Sequence, residues 1–268
     1  MSKKISQKKQ VNLTNNETNK QRTTYCVWVA YDGSNFFGWA QQEGLRTIEG
    51  TIIKTLARTF NVSIIIHGSS RTDKGVHAYD QVFTFSLPVM IDVEKMAVIL
   101  NQHFREAIKI KKVKIVANDY NLRDHVKNKE YRYYINCGAF DPFKLNYQYQ
   151  YGQKLSVHKL KKVAKLFIGQ HYFYNFSGLK KDDKHNPNRV INKIKVYRKK
   201  KIVIITMKAK GFVRYQVRYL VAAMLDYCQN KVTLDEINNY LSPKQKDKYQ
   251  YPKAFASGLF LYKTKLIK

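Results

Sequence analysis

The feature that most constrains this chain is an alternation between two hydrophobic periods, run through twice. Apolar residues two apart line one face of a strand, and apolar residues three and four apart line one face of a helix. Residues 25–31 are rich in β-branched and aromatic side chains and predict a strand. Ile48, Ile52, Leu56 and Phe60 recur at every fourth position and predict a helix. Strands follow over 62–66 and 81–87, then a helix capped by Asp92 and running to residue 104, then a strand over 108–116. The second half repeats the order. It predicts a strand over 130–136, then a helix with Ser156 as cap, Leu160, Val163 and Phe167 on its apolar face and Gly169 as its stop. Strands over 190–197 and 202–208 flank the basic turn 198–201, and a long helix is predicted over 212–228. A capping box from Thr233 to Glu236 opens a short helix, and a last strand covers 258–266.

Both halves therefore read β-α-β-β-α-β, with one extra helix in the second. That order is the split βαβ, ferredoxin-like or RRM-like unit. Two such units predict an α+β fold with two antiparallel sheets, helices packed on one side and a central cleft. The expected division is a disordered basic tail over 1–22, an N-terminal domain over 23–122 and a C-terminal domain over 123–268. The boundary falls in the polar stretch 118–128.

Charge points to the partner. Forty-nine Lys and Arg against nineteen Asp and Glu give a net charge of +30, and residues 1–22 hold only +5 of it. A folded region this basic repels itself unless a polyanion is near, and nucleic acid is the common one. No apolar run approaches the length of a membrane span, and the first 22 residues lack a signal-peptide core. The three cysteines, Cys26, Cys137 and Cys228, match no metal spacing, so a reduced cytoplasmic protein without metal is expected.

The segment from His67 to Ala78, HGSSRTDKGVHA, concentrates the chemistry. It holds Asp73 among Arg71, Lys74 and His77, with Gly68 and Gly75 free to take unusual backbone angles. An aspartate beside Arg71 is expected to stay ionised at neutral pH, as a nucleophile must. His77 reads first as a structural hydrogen-bond partner and second as an RNA contact. Asp32 reads as a turn former, Phe36 and Trp39 as packing, and 180–185 as a solvated loop.

This segment resembles the catalytic loop G-R-T-D-A-G-V-H of the tRNA pseudouridine synthase A family. Five further motifs follow the family's order: Y-D-G-S-N-F-F-G-W over 31–39, K-E-Y-R-Y over 129–133, G-Q-H-Y-F over 169–173 followed by Phe176, G-F-V-R-Y-Q-V-R over 211–218, and A-S-G-L-F-L over 256–261. The resemblance covers nearly everything after residue 24. Ser70, Lys74, Gln216 and Phe255 depart from the family's usual glycine, alanine, methionine and proline.

The resemblance implies an isomerase that turns uridine into pseudouridine at tRNA positions 38, 39 and 40 of the anticodon stem-loop, working as a homodimer without cofactor. It implies that Asp73 is the catalytic aspartate, that Tyr131 stacks on the target base and is a candidate for later proton abstraction, and that Arg218 pairs with Asp73. It implies that Arg71 positions the flipped nucleotide, and it matches Arg123 to an arginine between the halves. Lys74 and His77 complete the expected RNA-binding set. One carboxylate can attack or stabilise the sugar centre when a glycosidic bond breaks, and reaching the base needs an aromatic platform and basic side chains. The alternatives are a pseudouridine synthase acting on other RNA sites, a noncatalytic RNA-binding protein, and a glycosylase that releases its base.

Overall fold

The computed structural model describes residues 22–104, 107–244 and 247–267, so the tail expected over 1–22 lies, except for Arg22, outside the described residues. The chain opens with β1 (Thr23–Tyr31), whose run of Thr, Val, Tyr and Trp suits a pleated, buried surface. Helix α1 (Ile48–Phe60) starts where the Thr47 side chain accepts from the Gly50 N–H and stops at Asn61, which turns left-handed at φ 52°. It buries Ile48, Ile52 and Leu56. Short β2 (His67–Gly68) and long β3 (His77–Leu87) follow. Helix α2 (Val93–His103) is capped by Asp92, and β4 (Ile108–Val116) closes the first half.

One turn of helix, α3 (Leu122–His125), leads into β5 (Val126–Asn136). Then come β6 (Tyr149–Gln150), α4 (Val157–Leu166) capped by Ser156, and β7 (Gly169–Tyr172). The hairpin β8 (Asn188–Lys199) and β9 (Ile202–Ala209) turns through Lys200, at φ 53°. Helix α5 (Gln216–Cys228), helix α6 (Leu234–Tyr240) with the capping box of Thr233 and Glu236, and β10 (Leu259–Leu266) complete the chain.

Two strand expectations change. Residues 62–66 do not join the ladder; although Ile64 and Ile66 are buried and Ile65 is 72% exposed, pairing with β3 is limited to His67 and Gly68. The helix expected over 212–228 begins at Gln216, because Tyr215 sits left-handed at φ 63° and the Gln216 side chain accepts from the Val213 N–H.

The expectation of two separate sheets is corrected. The strands form one ten-stranded sheet in the order β4-β1-β3-β10-β5-β9-β8-β7, with β2 on β3 and β6 on β5. Within each half the four main strands take the same relative order: β4-β1-β3 with β2 against β3, and β10-β5-β9-β8. Because β2 spans two residues, the start of β3 has an open edge. Strand β10 fills it in parallel, pairing Phe260 with His77 and Leu261 with Ala78. Otherwise the unpaired N–H and C=O groups of that edge would lack partners. The buried side chains of both halves accordingly merge into one core, from Tyr25 and Phe83 to Leu220 and Leu261. Among the described residues no helix is long and apolar enough to cross a membrane.

Candidate active site

The site lies at the seam between the halves. Sheet register carries a line of residues across it, Ala78 beside Leu261, Leu261 beside Tyr131 and Tyr131 beside Met207. Ala78 is two residues past the end of the loop 69–76, so the β3–β10 pairing brings that loop to Tyr131.

The loop is clamped from below by the segment after β1. The Trp39 N–H donates to the Thr72 carbonyl at 3.0 Å, and the Tyr31 and Thr72 hydroxyls lie 2.8 Å apart. The approach tolerates no side chain at Gly33, where a Cβ would lie 2.0 Å from the Val76 carbonyl oxygen, or at Gly38, where it would lie 2.6 Å from that of Thr72. Gly38 also has φ +91° and Gly75 φ +76°. Trp39 and Phe36, each 1% exposed, fill the floor beneath.

Asp73 stands on this loop beside α5. The Arg218 guanidinium reaches it with Nη1 3.4 Å from Oδ2, while Nε donates to the Ala254 carbonyl at 2.7 Å. The guanidinium therefore bridges the carboxylate and the segment leading into β10; it does not fork onto the carboxylate alone. Burial pushes the Asp73 carboxyl above its ordinary range, and Arg218, Arg214 and Lys253 pull against that rise. The expectation that Arg71 keeps Asp73 ionised is thus corrected: the charges that act on Asp73 are those of Arg218, Arg214 and Lys253, and Arg71 is exposed.

Tyr131 is 8% exposed and meets Phe212 edge-on at 5.3 Å and 89°. Burial holds its phenol far above the usual range, and the charge of Asp73 adds to the effect. Lys74 is exposed with its ammonium 3.9 Å over the Phe37 ring, and Arg123 is exposed on α3. His77 is 1% exposed. Its Nε2 is 2.7 Å from the Asn146 carbonyl, its Nδ1 accepts from the Gly33 N–H at 3.1 Å, and its ring stacks on Phe260. That environment ties β3 to its surroundings and leaves little of the ring to meet RNA. Asp32 forms a turn, its Oδ1 accepting from the Ser34 N–H and hydroxyl and its Oδ2 from the Tyr147 hydroxyl.

Three residues of this neighbourhood escaped the sequence reading. The Lys129 ammonium donates to the Ser69 carbonyl at the start of the loop. Burial, with Arg123 and Arg189 nearby, lowers its pKa to about 8. Lys129 opens the motif at 129–133 and Arg214 lies inside the motif at 211–218, so both were within view; nothing in the sequence singled out Lys253. Cavities of about 570 and 590 Å³ lie elsewhere, one around Asp32, His77 and Phe104, the other around Tyr79, Arg132 and Tyr262. Asp73 lines neither. Among the described residues no three His, Cys, Asp or Glu side chains gather as metal ligands would.

A family model described as tRNA pseudouridine synthase matches residues 27–123 and 163–265. The tRNA pseudouridine synthase A of Malacoplasma penetrans is 36% identical over 243 residues, which are 90% of this chain and 99% of that relative. The protein of the same name from Mycoplasma genitalium is 35% identical, covering 88% of this chain and 96% of its own. That of Thermosipho melanesiensis is 32% identical, with 90% and 98% covered.

Proposed function

This chain belongs to the tRNA pseudouridine synthase family, and from that premise we propose that it isomerises uridine to pseudouridine in tRNA with Asp73 as the working carboxylate. The observation that carries the assignment is the Arg218–Asp73 pair, formed between residues 145 apart in sequence.

The reaction breaks the N1–C1′ bond, turns the base and joins C5 to C1′. The proton lost from C5 balances the one gained at N1, so the product is an isomer. No electron or group enters from outside, and the stoichiometry calls for no cofactor. Arg218 engages Oδ2, which leaves Oδ1 to face the sugar. The base has to leave its stack to reach Asp73. Tyr131, held by Phe212, offers it an aromatic surface; its high pKa keeps the phenol neutral. Arg71 holds the flipped nucleotide, and Lys74 and Arg123 contact phosphates. His77 supports β3 from within.

The finer reading is that each half is a ferredoxin-like unit, divided near residue 122, with the RNA in the cleft over the seam. The recurring strand order supports it. By resemblance the targets are positions 38, 39 and 40 of the anticodon stem-loop, bound by a cytoplasmic homodimer. The test is Asp73→Asn, which keeps the shape and removes the anionic oxygen. Pseudouridine formation in a tRNA transcript should vanish while RNA binding survives. Turnover comparable with wild type overturns the assignment, and release of free uracil by the wild type would make the protein a glycosylase.

A further inference from the structure

Asp73 faces more positive charge than it can neutralise. Arg218, Arg214 and Lys253 all act on it, a surplus of two positive charges around one carboxylate. These cations gather at one ring. The Arg214 and Arg218 guanidinium carbons lie 4.8 and 5.8 Å from the Tyr215 centroid, and the Lys253 ammonium lies 4.7 Å from it. Tyr215 is fixed in an uncommon way. Its backbone is left-handed at φ 63°, and its ring lies so close on Gly178 that a Cβ there would come within 2.3 Å of it. The Gly178 N–H donates to the Arg214 carbonyl at 2.8 Å. A bulky residue takes this backbone conformation only where its surroundings impose it, and the result is a rigid aromatic post with Arg214 and Lys253 held against it.

Arg218 is committed to Asp73 and Ala254. Arg214 and Lys253 have no ion-pair partner among the described residues, although Arg214 donates to the Tyr215 hydroxyl at 3.0 Å. Arg214 is exposed and Lys253 half-buried. When the ribose of a target nucleotide lies at Asp73, the nearest anions it brings are its own flanking phosphates. A planar guanidinium can bind phosphate oxygens in a fork, and an ammonium can supply a second charge. We propose that Arg214 and Lys253, fixed on the Tyr215 ring, form a phosphate subsite that grips the RNA backbone beside the target uridine. The subsite rests on the reading of Asp73 as the carboxylate at the ribose.

The experiment measures binding of an anticodon stem-loop RNA over a range of KCl concentrations, for wild type, Arg214→Gln, Lys253→Gln and the double variant. Each neutralised phosphate contributes about one unit to the slope of log K against log salt. Each single variant should lower the slope by about one and the double variant by about two, whereas Arg214→Lys should retain it. A second arm replaces each phosphate flanking the target uridine by an uncharged methylphosphonate. One replacement should weaken wild-type binding several-fold and leave the double variant indifferent. Slopes equal to wild type, or a double variant that still suffers the methylphosphonate penalty, overturn the subsite. Pseudouridine is assayed in parallel on the unmodified RNA. An inactive wild type overturns the functional reading, whereas an active wild type with unchanged slopes overturns the subsite alone.

Discussion

Two side chains decide how the site responds to pH. Asp73 has to be ionised to work, and burial raises its pKa. Activity is therefore present above that raised value and lost as pH falls through it, so the acid limb of the single-turnover rate should lie above the range of a free aspartate. Arg218→Ala removes the largest opposing charge and should move the limb higher still while slowing turnover. Arg218→Lys keeps the charge, but one ammonium cannot hold both Asp73 and the Ala254 carbonyl as the guanidinium does. Turnover should fall with little shift of the limb. A profile unchanged in Arg218→Ala would mean that the pair does not govern Asp73. The pKa of Lys129 shifts the other way. Its pKa falls from 10.5 to about 8 on folding, so between those values the unfolded chain binds more protons and stability rises with pH. Urea midpoints of wild type and Lys129→Met should therefore separate in favour of wild type as pH rises through that window. A constant difference would show that the ammonium is not buried in solution.

At the scale of elements, the loop 69–76 has little conformation of its own and takes its shape from the segment 33–39. Gly38→Ala meets two penalties, a positive φ and a backbone oxygen 2.6 Å away, and should cost on the order of 3 kcal/mol. Gly44→Ala shares the positive φ, +69°, but has nothing within 4 Å, and should cost about 1 kcal/mol. Denaturant unfolding measures both, and single-turnover assays should find the larger rate loss in Gly38→Ala. Equal costs would mean that the loop yields to the added methyl group. The parallel β10–β3 pairing acts on a longer range: Leu261 stands between Ala78 and Tyr131 in the sheet and fixes their register.

At the scale of the molecule, the net charge of +30 predicts RNA affinity that falls steeply with salt, because each neutralised phosphate releases a counterion. Removing residues 1–22 takes away only +5, so most of the salt slope should remain when binding of a tRNA transcript is compared with and without the tail. Loss of most of the slope would assign the RNA-binding charge to the tail and leave the folded face with little of it.

The sequence by itself determined most of the elements and the chemistry they carry. Hydrophobic period and capping residues act within a few positions of one another, so α1 with Thr47 behind it, α2 with Asp92 and α6 with its capping box could be read locally. The loop motif, with Asp73 in it, was legible for the same reason. Tertiary structure alone decided how the halves join. Whether two four-strand units make two sheets or one depends on whether an edge stays open, and that turned on the contraction of β2 to two residues, which no period reveals because Ile64 and Ile66 alternate as strand residues do. It also decided which cations serve Asp73. The resemblance had paired Arg218 with Asp73 and sequence proximity favoured Arg71, but a loop residue's neighbours are set by what packs across the seam, and there Arg214, just before α5, and Lys253, on the approach to β10, join Arg218. Coulomb interactions and burial depend on distances in space, and those exist only once the sheet has closed.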